Sequence, residues 1–240
     1  MKQYEAVIKV MEANEGFATL GHLYQNVLKV PNVDWKTKTP FASMRRIVQT
    51  RPEIFKIKPG LWALKEYKDK LPKELKPQAS QVEKDTYSHT YYQGLLLEIG
   101  KLQNFDTFVP NQDKNKMFLG KTKLGEIASI NEIYRFSYDL FISQARTVDV
   151  IWFNERKMPL SLFEIEHSTN IKNSLLKFVE LQDFRTKMFI VADDARKGEF
   201  TKSVDMRAFK CIHKYVEFLS YDELSDLHTQ AFVKAKFEII

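Results

Sequence analysis

In the stretch LFEIEHSTN, residues 162–170, Glu164 and Glu166 stand two apart in an otherwise apolar run, and Asp149 lies upstream of them in VDVIWF. Successive side chains of a strand alternate faces, so Glu164 and Glu166 share one face and Phe163 and Ile165 the other. VDVIWF and LSLFEIE are both strand-like in composition, and NERKMP between them reads as a loop. A hairpin with Phe153 opposite Leu160 sets Asp149 opposite Glu164, with Cβ atoms about 4.5–5.5 Å apart. A one-residue slip would press Asp149 against Phe163 or Ile165, which is costly. Three carboxylates crowded on one face repel each other unless a cation sits among their oxygens. Hard divalent ions take oxygen ligands, and Mg2+ commonly uses a few carboxylates with water and phosphate. The chemistry this pattern suits is metal-assisted attack on a phosphate.

The flanking segments read as supports for that hairpin. YSHTYYQGLLLEIGKLQ (87–103) carries Tyr91, Leu95, Ile99 and Leu102 on one helical stripe, with Glu98 beside it. NIKNSLLKFVELQDF (170–184) points Ile171, Leu175, Phe178 and Val179 inward, and KMFIVADD (187–194) reads as a buried strand. His167 falls on the strand face away from the glutamates and reads as structural or supporting. His22, His89, His213 and His228 show no metal-ligand spacing. DDARKGEF (193–200) reads as a solvated turn, and residues 211–232 as a strand and a helix closing the same domain.

The D-x14-E-x-E spacing across a hairpin, flanked in the order helix, hairpin, helix, strand, resembles the active-site core of the PD-(D/E)XK nuclease superfamily over about residues 86–210. The resemblance implies an αβββαβ core, with Asp149 and Glu164 as ligands to Mg2+, or to Mn2+ in its place. Glu166 would ligate or orient the attacking water. Glu98 would assist, because many members carry an acidic residue on the first helix that reaches the metal. One departure stands out. The usual third residue is Lys, and Glu166 stands in its position, as it does in some restriction endonucleases. Lys172 is one candidate for a displaced cation.

The first third of the chain has a different character. Residues 1–80 hold 15 Lys+Arg against 8 Asp+Glu, a surplus of seven, while the remainder is close to neutral with 22 against 23. A basic part on a near-neutral body suggests a polyanion-binding module. Tyr4, Val7, Ile8 and Met11 have helix spacing, and a second helix is expected across TLGHLYQNVLKV (19–30). In TPFASMRRIVQTRP (39–52), Thr39 suits the N-cap and Pro40 the first helical position. Phe41, Met44, Ile47 and Val48 form its apolar stripe. FKIKPGLWAL (55–64) reads as strand, turn, strand, with Pro59 and Gly60 at the centre of a type II turn.

Three helices and a basic hairpin make a winged helix-turn-helix, whose third helix would enter a major groove with the hairpin as wing. The order of elements and the KTKTPFASMRRIVQ and FKIKPGLWAL segments resemble the HARE-HTH family over about residues 3–66. That resemblance implies contact with double-stranded DNA. Lys38, Thr39, Ser43, Arg45, Arg46 and Gln49 are the candidate contacts along the helix, with Lys56 and Lys58 on the wing.

The fold expected is of the α/β (α+β) class. It comprises a winged helix-turn-helix at 1–67, a linker at 68–85 marked by Pro72 and Pro77, and a restriction-endonuclease-like αβββαβ domain at 86–240. At 240 residues the chain can bury a sizeable core, and 44% hydrophobic with 28% charged residues is ordinary for a soluble protein. No apolar run approaches the roughly 20 residues of a membrane span, and the start does not read as a signal peptide. The single cysteine, Cys211, excludes an internal disulfide framework, and a cytoplasmic setting is expected. The two resemblances together imply a Mg2+-dependent endodeoxyribonuclease of the type II restriction kind, acting as a homodimer. The alternatives are a catalytically degenerate DNA-binding or regulatory protein, and a repair nuclease for modified or branched DNA.

Overall fold

The computed structural model describes residues 1–76 and 80–237 of the chain. Helices and sheets are mixed, and contacts gather the chain into two units, Met1–Ala79 with Ser225–Ile240, and Ser80–Leu224.

The first unit runs α1 (Gln3–Ala13), β1 (Phe17–Thr19), α2 (Leu20–Asn26), α3 (Pro40–Thr50), β2 (Ile54–Lys58) and β3 (Leu61–Leu64). The expected stripe of α3 is the buried one, with Met44 and Val48 in the core and Phe41 and Ile47 packed against it. Thr39 and Pro40 take the cap and first-turn positions, although the Thr39 side chain makes no capping bond. Its hydroxyl meets that of Thr37 instead, at 3.3 Å. Pro59 and Gly60 join β2 to β3, and Gly60 adopts φ +73°, which a side chain would disfavour. The sheet has three strands in the order β1-β3-β2, rather than the expected two-stranded hairpin. The three residues of β1 are too few to show an alternating pattern in the sequence.

The second unit begins earlier than residue 86. Ser80 and Glu83 form a capping box, and α4 runs Gln81–Leu102. Before it, Leu71 and Leu75 are buried, so part of the expected linker is packed. Pro77, the second linker proline, lies outside the described residues. The unit continues with β4 (Asp106–Phe108), β5 (Met117–Phe118), β6 (Thr122–Lys123), α5 (Leu124–Ile127), α6 (Asp139–Ala145), β7 (Val150–Phe153), β8 (Pro159–Glu166), α7 (Ile171–Glu180), β9 (Lys187–Ala192), α8 (Lys197–Val204), β10 (Val216–Ser220) and α9 (Tyr221–Phe237). Residues 193–200, expected as a solvated turn, form a 3-10 turn and the first half of α8. The strand and helix expected at the C-terminal end are present. From Ser225 onward, however, α9 groups with the first unit rather than with the second. There Phe232 packs so closely on Gly21 that a Cβ at that glycine would lie 2.6 Å from the ring.

Five strands form the main sheet in the order β10-β9-β8-β7-β4. β8 pairs parallel with β9 and antiparallel with β7, so it is central and nearly all of it is buried. Val150 faces Phe163, Ile151 faces Leu162 and Trp152 faces Ser161, which is the expected register. A bulge then sets Phe153 against Pro159, not Leu160. One face of β8 carries Leu162 into a core shared with Ile171, Leu175 and Phe178 of α7. The other presents Phe163, whose ring lies 4.6 Å from Trp152 and 5.0 Å from Phe189. Helix α4 covers that second face. Trp152 Nε1 donates to the Leu96 carbonyl at 3.0 Å, and a Cβ on Gly100 would come within 2.4 Å of Thr107. The close approach at Gly100 seats α4 against β4 and β7. None of the described helices is long and apolar enough to cross a membrane.

Candidate active site

Glu164 and Glu166 are 2% and 4% exposed, on the face of β8 that α7 covers. A carboxylate in such a place needs partners. Lys177 donates to both oxygens of Glu164, at 3.0 and 2.8 Å, and to the Thr147 carbonyl at 3.0 Å. Ser174 bridges the two glutamates, meeting Glu164 Oε2 at 2.9 Å and Glu166 Oε1 closely. Thr169, in the loop before α7, donates to the other oxygen of Glu166. Asp149 sits just before β7, in line with Glu164. Its Oδ2 accepts from the Ile165 N–H at 2.7 Å and from His89 Nε2 at 3.0 Å. Gln93, one turn along α4 from His89, donates to the Asp149 carbonyl at 3.1 Å and to Asp113 at 2.8 Å.

Protonation follows from these contacts. Burial pushes Glu164 well above the usual carboxylate range, the Asp149 charge adds to it, and Lys177 and Ser174 pull back. Burial acts the same way on Asp149. There the charge and hydrogen bond of His89, with the Ile165 N–H, outweigh it and hold Asp149 below its ordinary value. For His89, burial opposes the charge, but Asp149 prevails and the pKa is raised. Lys177 is raised likewise, because Glu164 outweighs its desolvation. Ser174 has one hydroxyl hydrogen and two carboxylates to serve. Asp149 and Glu164 are thus a repelling pair that titrates jointly, and added positive charge relieves them.

Among the described residues no group of three or more His, Cys, Asp or Glu is arranged to hold a metal ion. Mg2+ needs less than that, since one or two carboxylates with water and substrate phosphate complete its shell. The Asp149–Glu164 pair fits such an ion by donor type and by the repulsion between its two carboxylates. Glu98 does not join the pair. It lies nine residues after His89 on α4, about 180° round the helix, so it faces away from Asp149. On that side Tyr91 is pushed up by burial and, to a lesser degree, by Glu98. Lys172 is not the cation beside the glutamates either, and Lys177 holds that position.

Four contributors were not read from the sequence. His89 and Gln93 form an i, i+4 polar pair in a helix otherwise rich in apolar residues, a signal that was available. Ser174 interrupts the stripe of Ile171, Leu175 and Phe178, which was another. Lys177 looks like an ordinary surface lysine until α7 is known to lie over Glu164. His167 matches its expected supporting place, with Nδ1 3.1 Å from the Tyr221 hydroxyl and Nε2 3.1 Å from Asp85.

In the first unit the basic candidates gather on and near α3. Lys38, Thr39, Arg46, Gln49 and Lys56 are exposed, while Ser43, Arg45 and Lys58 are half-buried. Ser43 turns back to the Thr39 carbonyl at 3.4 Å. Arg45 is engaged in an ion pair with Asp226 of α9, which ties α3 to the C-terminal segment of its own unit. Arg46 is therefore the arginine of the pair that projects from the helix.

Residues 66–239 match the family described as the type II restriction enzyme NmeDI C-terminal domain. Type II restriction enzyme NmeDI of Neisseria meningitidis serogroup C is 27% identical over 150 residues, which cover 58% of this chain and 42% of that protein. The chain thus spans less than half the length of that curated relative. No solved structure matches the chain. The matched region takes in Asp149, Glu164, Glu166 and every side chain that contacts them, and the chain belongs to the family of the type II restriction enzyme NmeDI C-terminal domain.

Proposed function

We propose that the chain is a metal-dependent DNA endonuclease of the type II restriction kind. In this reading the first unit is a winged helix that holds double-stranded DNA, and the second is a PD-(D/E)XK nuclease domain. The observation that carries it is the Asp149–Glu164 pair, with Glu164 buried and Asp149 partly buried, mutually repelling and backed by Lys177. The order α4, β4, β7, β8, α7, β9 supports an αβββαβ core with β5 to α6 inserted. Family membership supports the restriction class.

Asp149 and Glu164 would hold Mg2+ or Mn2+. The ion supplies a bound water of lowered pKa and stabilises charge on the phosphate. The remaining work belongs to the chain. His89 and the Ile165 N–H fix one oxygen of Asp149 and keep that carboxylate ionised. Lys177 brings a cation to Glu164 from a helix, where superfamily members more often bring it from the strand position of Glu166. That cation stabilises negative charge developing on the phosphate. Ser174 and Thr169 hold Glu166, which takes up a proton or orients the attacking water. Arg46, Gln49, Lys56 and Lys58 would contact DNA. Cutting both strands requires two such centres, so a homodimer is part of the proposal.

The test is cleavage of long unmodified and cytosine-modified duplex DNA with Mg2+, Mn2+ or EDTA. Discrete fragments that need the divalent ion are expected, and the preferred DNA separates a restriction enzyme from a nuclease for modified bases. A second reading, a degenerate DNA-binding protein, is favoured by the lack of a three-group metal arrangement among the described residues. It predicts DNA binding without cleavage and no thermal stabilisation by Mg2+.

A further inference from the structure

An open cleft of about 640 Å³ lies beside the acidic centre. Its walls are the Ser168–Asn170 loop, the start of α7 and one side of α8, and its polar lining includes Thr169, Lys172, Arg196, Glu199, Lys202 and Ser203. Three cations face one carboxylate there. Glu199 is bound by Arg196, through Nε at 3.0 Å and Nη2 at 2.9 Å, so the only acid of the lining is already paired. Arg196 Nη2 also donates to the Thr169 carbonyl, while Arg196 Nη1 is buried and has no hydrogen-bond partner among the described residues. Neither Lys172 nor Lys202 makes a side-chain ion pair among the described residues, and both are exposed.

Unneutralised positive charge on α7 and α8, at Lys172 and Lys202, calls for an anion in the cleft between them. The lining adds the hydroxyl of Ser203, a donor of the kind that phosphate oxygens accept from. Thr169 also fixes the cleft's distance from the centre, because its hydroxyl binds Glu166. An anion here lies one residue away from the carboxylates, yet is bound by groups of opposite charge. We infer that this cleft is a backbone-phosphate subsite of the nuclease domain. It would hold a phosphate of the cut strand next to the scissile one, with Lys172 and Lys202 as its cations.

The inference rests on the nuclease reading and deepens it. A strand anchored here runs past Glu166 toward Asp149 and Glu164. A phosphate contact carries no sequence information, so the subsite serves affinity and alignment rather than sequence choice.

The experiment compares wild type, Lys172→Ala/Lys202→Ala, and a charge-matched control, Lys210→Ala/Lys214→Ala, whose lysines are exposed elsewhere on the same unit. Binding to a 30-base-pair duplex is followed by anisotropy over a range of NaCl, without divalent ion, and cleavage is measured in parallel with Mg2+. Each lost phosphate contact lowers the slope of log affinity against log salt by about 0.9. The Lys172/Lys202 variant is expected to lose about twice that and to cut more slowly, with an unchanged melting temperature, while the control keeps the wild-type slope. Equal slopes for the two variants, with wild type still cutting, would overturn the subsite alone. Wild type that neither binds nor cuts duplex DNA would overturn the subsite and the nuclease reading together.

Discussion

The two units handle charge in opposite ways. The first sets its excess of lysine and arginine at the surface, where charges are hydrated and their positions are loosely constrained. The second buries Glu164 and Glu166 to 2% and 4% exposure and surrounds them with Lys177, Ser174, Thr169 and, through Asp149, His89. Exposed charge is cheap to place and says little by itself about use. Buried charge is retained only with a full set of partners. Glu164 is held above its ordinary pKa by burial and by the neighbouring Asp149 charge, the signature of a group kept against its own electrostatic preference. Under the proposed function, that difference assigns the chemistry to the second unit, and the surface charge of the first is a proposed attraction for DNA.

The contrast is tested hardest at Lys177. Lys177→Ala should cost about 1–3 kcal/mol of stability, below the roughly 3–5 of a fully buried pair. The smaller figure reflects an ammonium that is 29% exposed and a Glu164 that can take up a proton. In a double-mutant cycle with Glu164→Gln, the loss of the double variant should fall short of the sum of the two single losses by at least about 1 kcal/mol. Strict additivity would show that the contact carries no coupling.

Next comes His89. Its folded pKa is raised above 6.5. Its stabilising contribution is therefore complete below about 6.5 and fades as pH rises through the folded value. His89→Asn should lose about 1–2 kcal/mol at pH 6 and less at pH 9, read from urea unfolding at each pH. A pH-independent loss would reduce the histidine to packing.

The smallest effects belong to the surface of the first unit, and there the adjacent arginines should part. Arg46→Ala should weaken duplex binding by about 1 kcal/mol and leave the melting temperature alone. Arg45→Ala should remove the half-exposed ion pair to Asp226 and cost about 0–1 kcal/mol of stability. Equal effects of both on binding would mean that Arg45 leaves Asp226 to meet DNA.

Legibility in the sequence followed the same division. Helix α3 could be read from Pro40 and a clean stripe, because its one buried face is local. The row that brings Asp149 level with Glu164 could be read because a slip would bury a charge among aromatic rings. The bulge that sets Phe153 on Pro159 could not, since it follows from how the turn closes. Ser80 and Glu83 spell a helix start that the lysine-rich composition of 65–85 obscured. Helix α8 was hidden by the charges of residues 193–199, which run from the turn before it into its first turn. Lys177 was illegible for a deeper reason. Its role depends on which helix covers β8, a long-range fact with no trace in local spacing. Glu98 failed by simple helical phase, since His89 and Gln93, not Glu98, share the face toward Asp149.

The central claim is that Asp149 and Glu164 form the cutting centre. The most direct measurement sets Asp149→Asn beside wild type, with duplex cleavage in Mg2+ and duplex binding measured on the same preparations. The expected result is a loss of cleavage of about 10²–10³-fold or more with binding retained. Cleavage at the wild-type rate by Asp149→Asn would contradict it and move the active centre elsewhere in the chain.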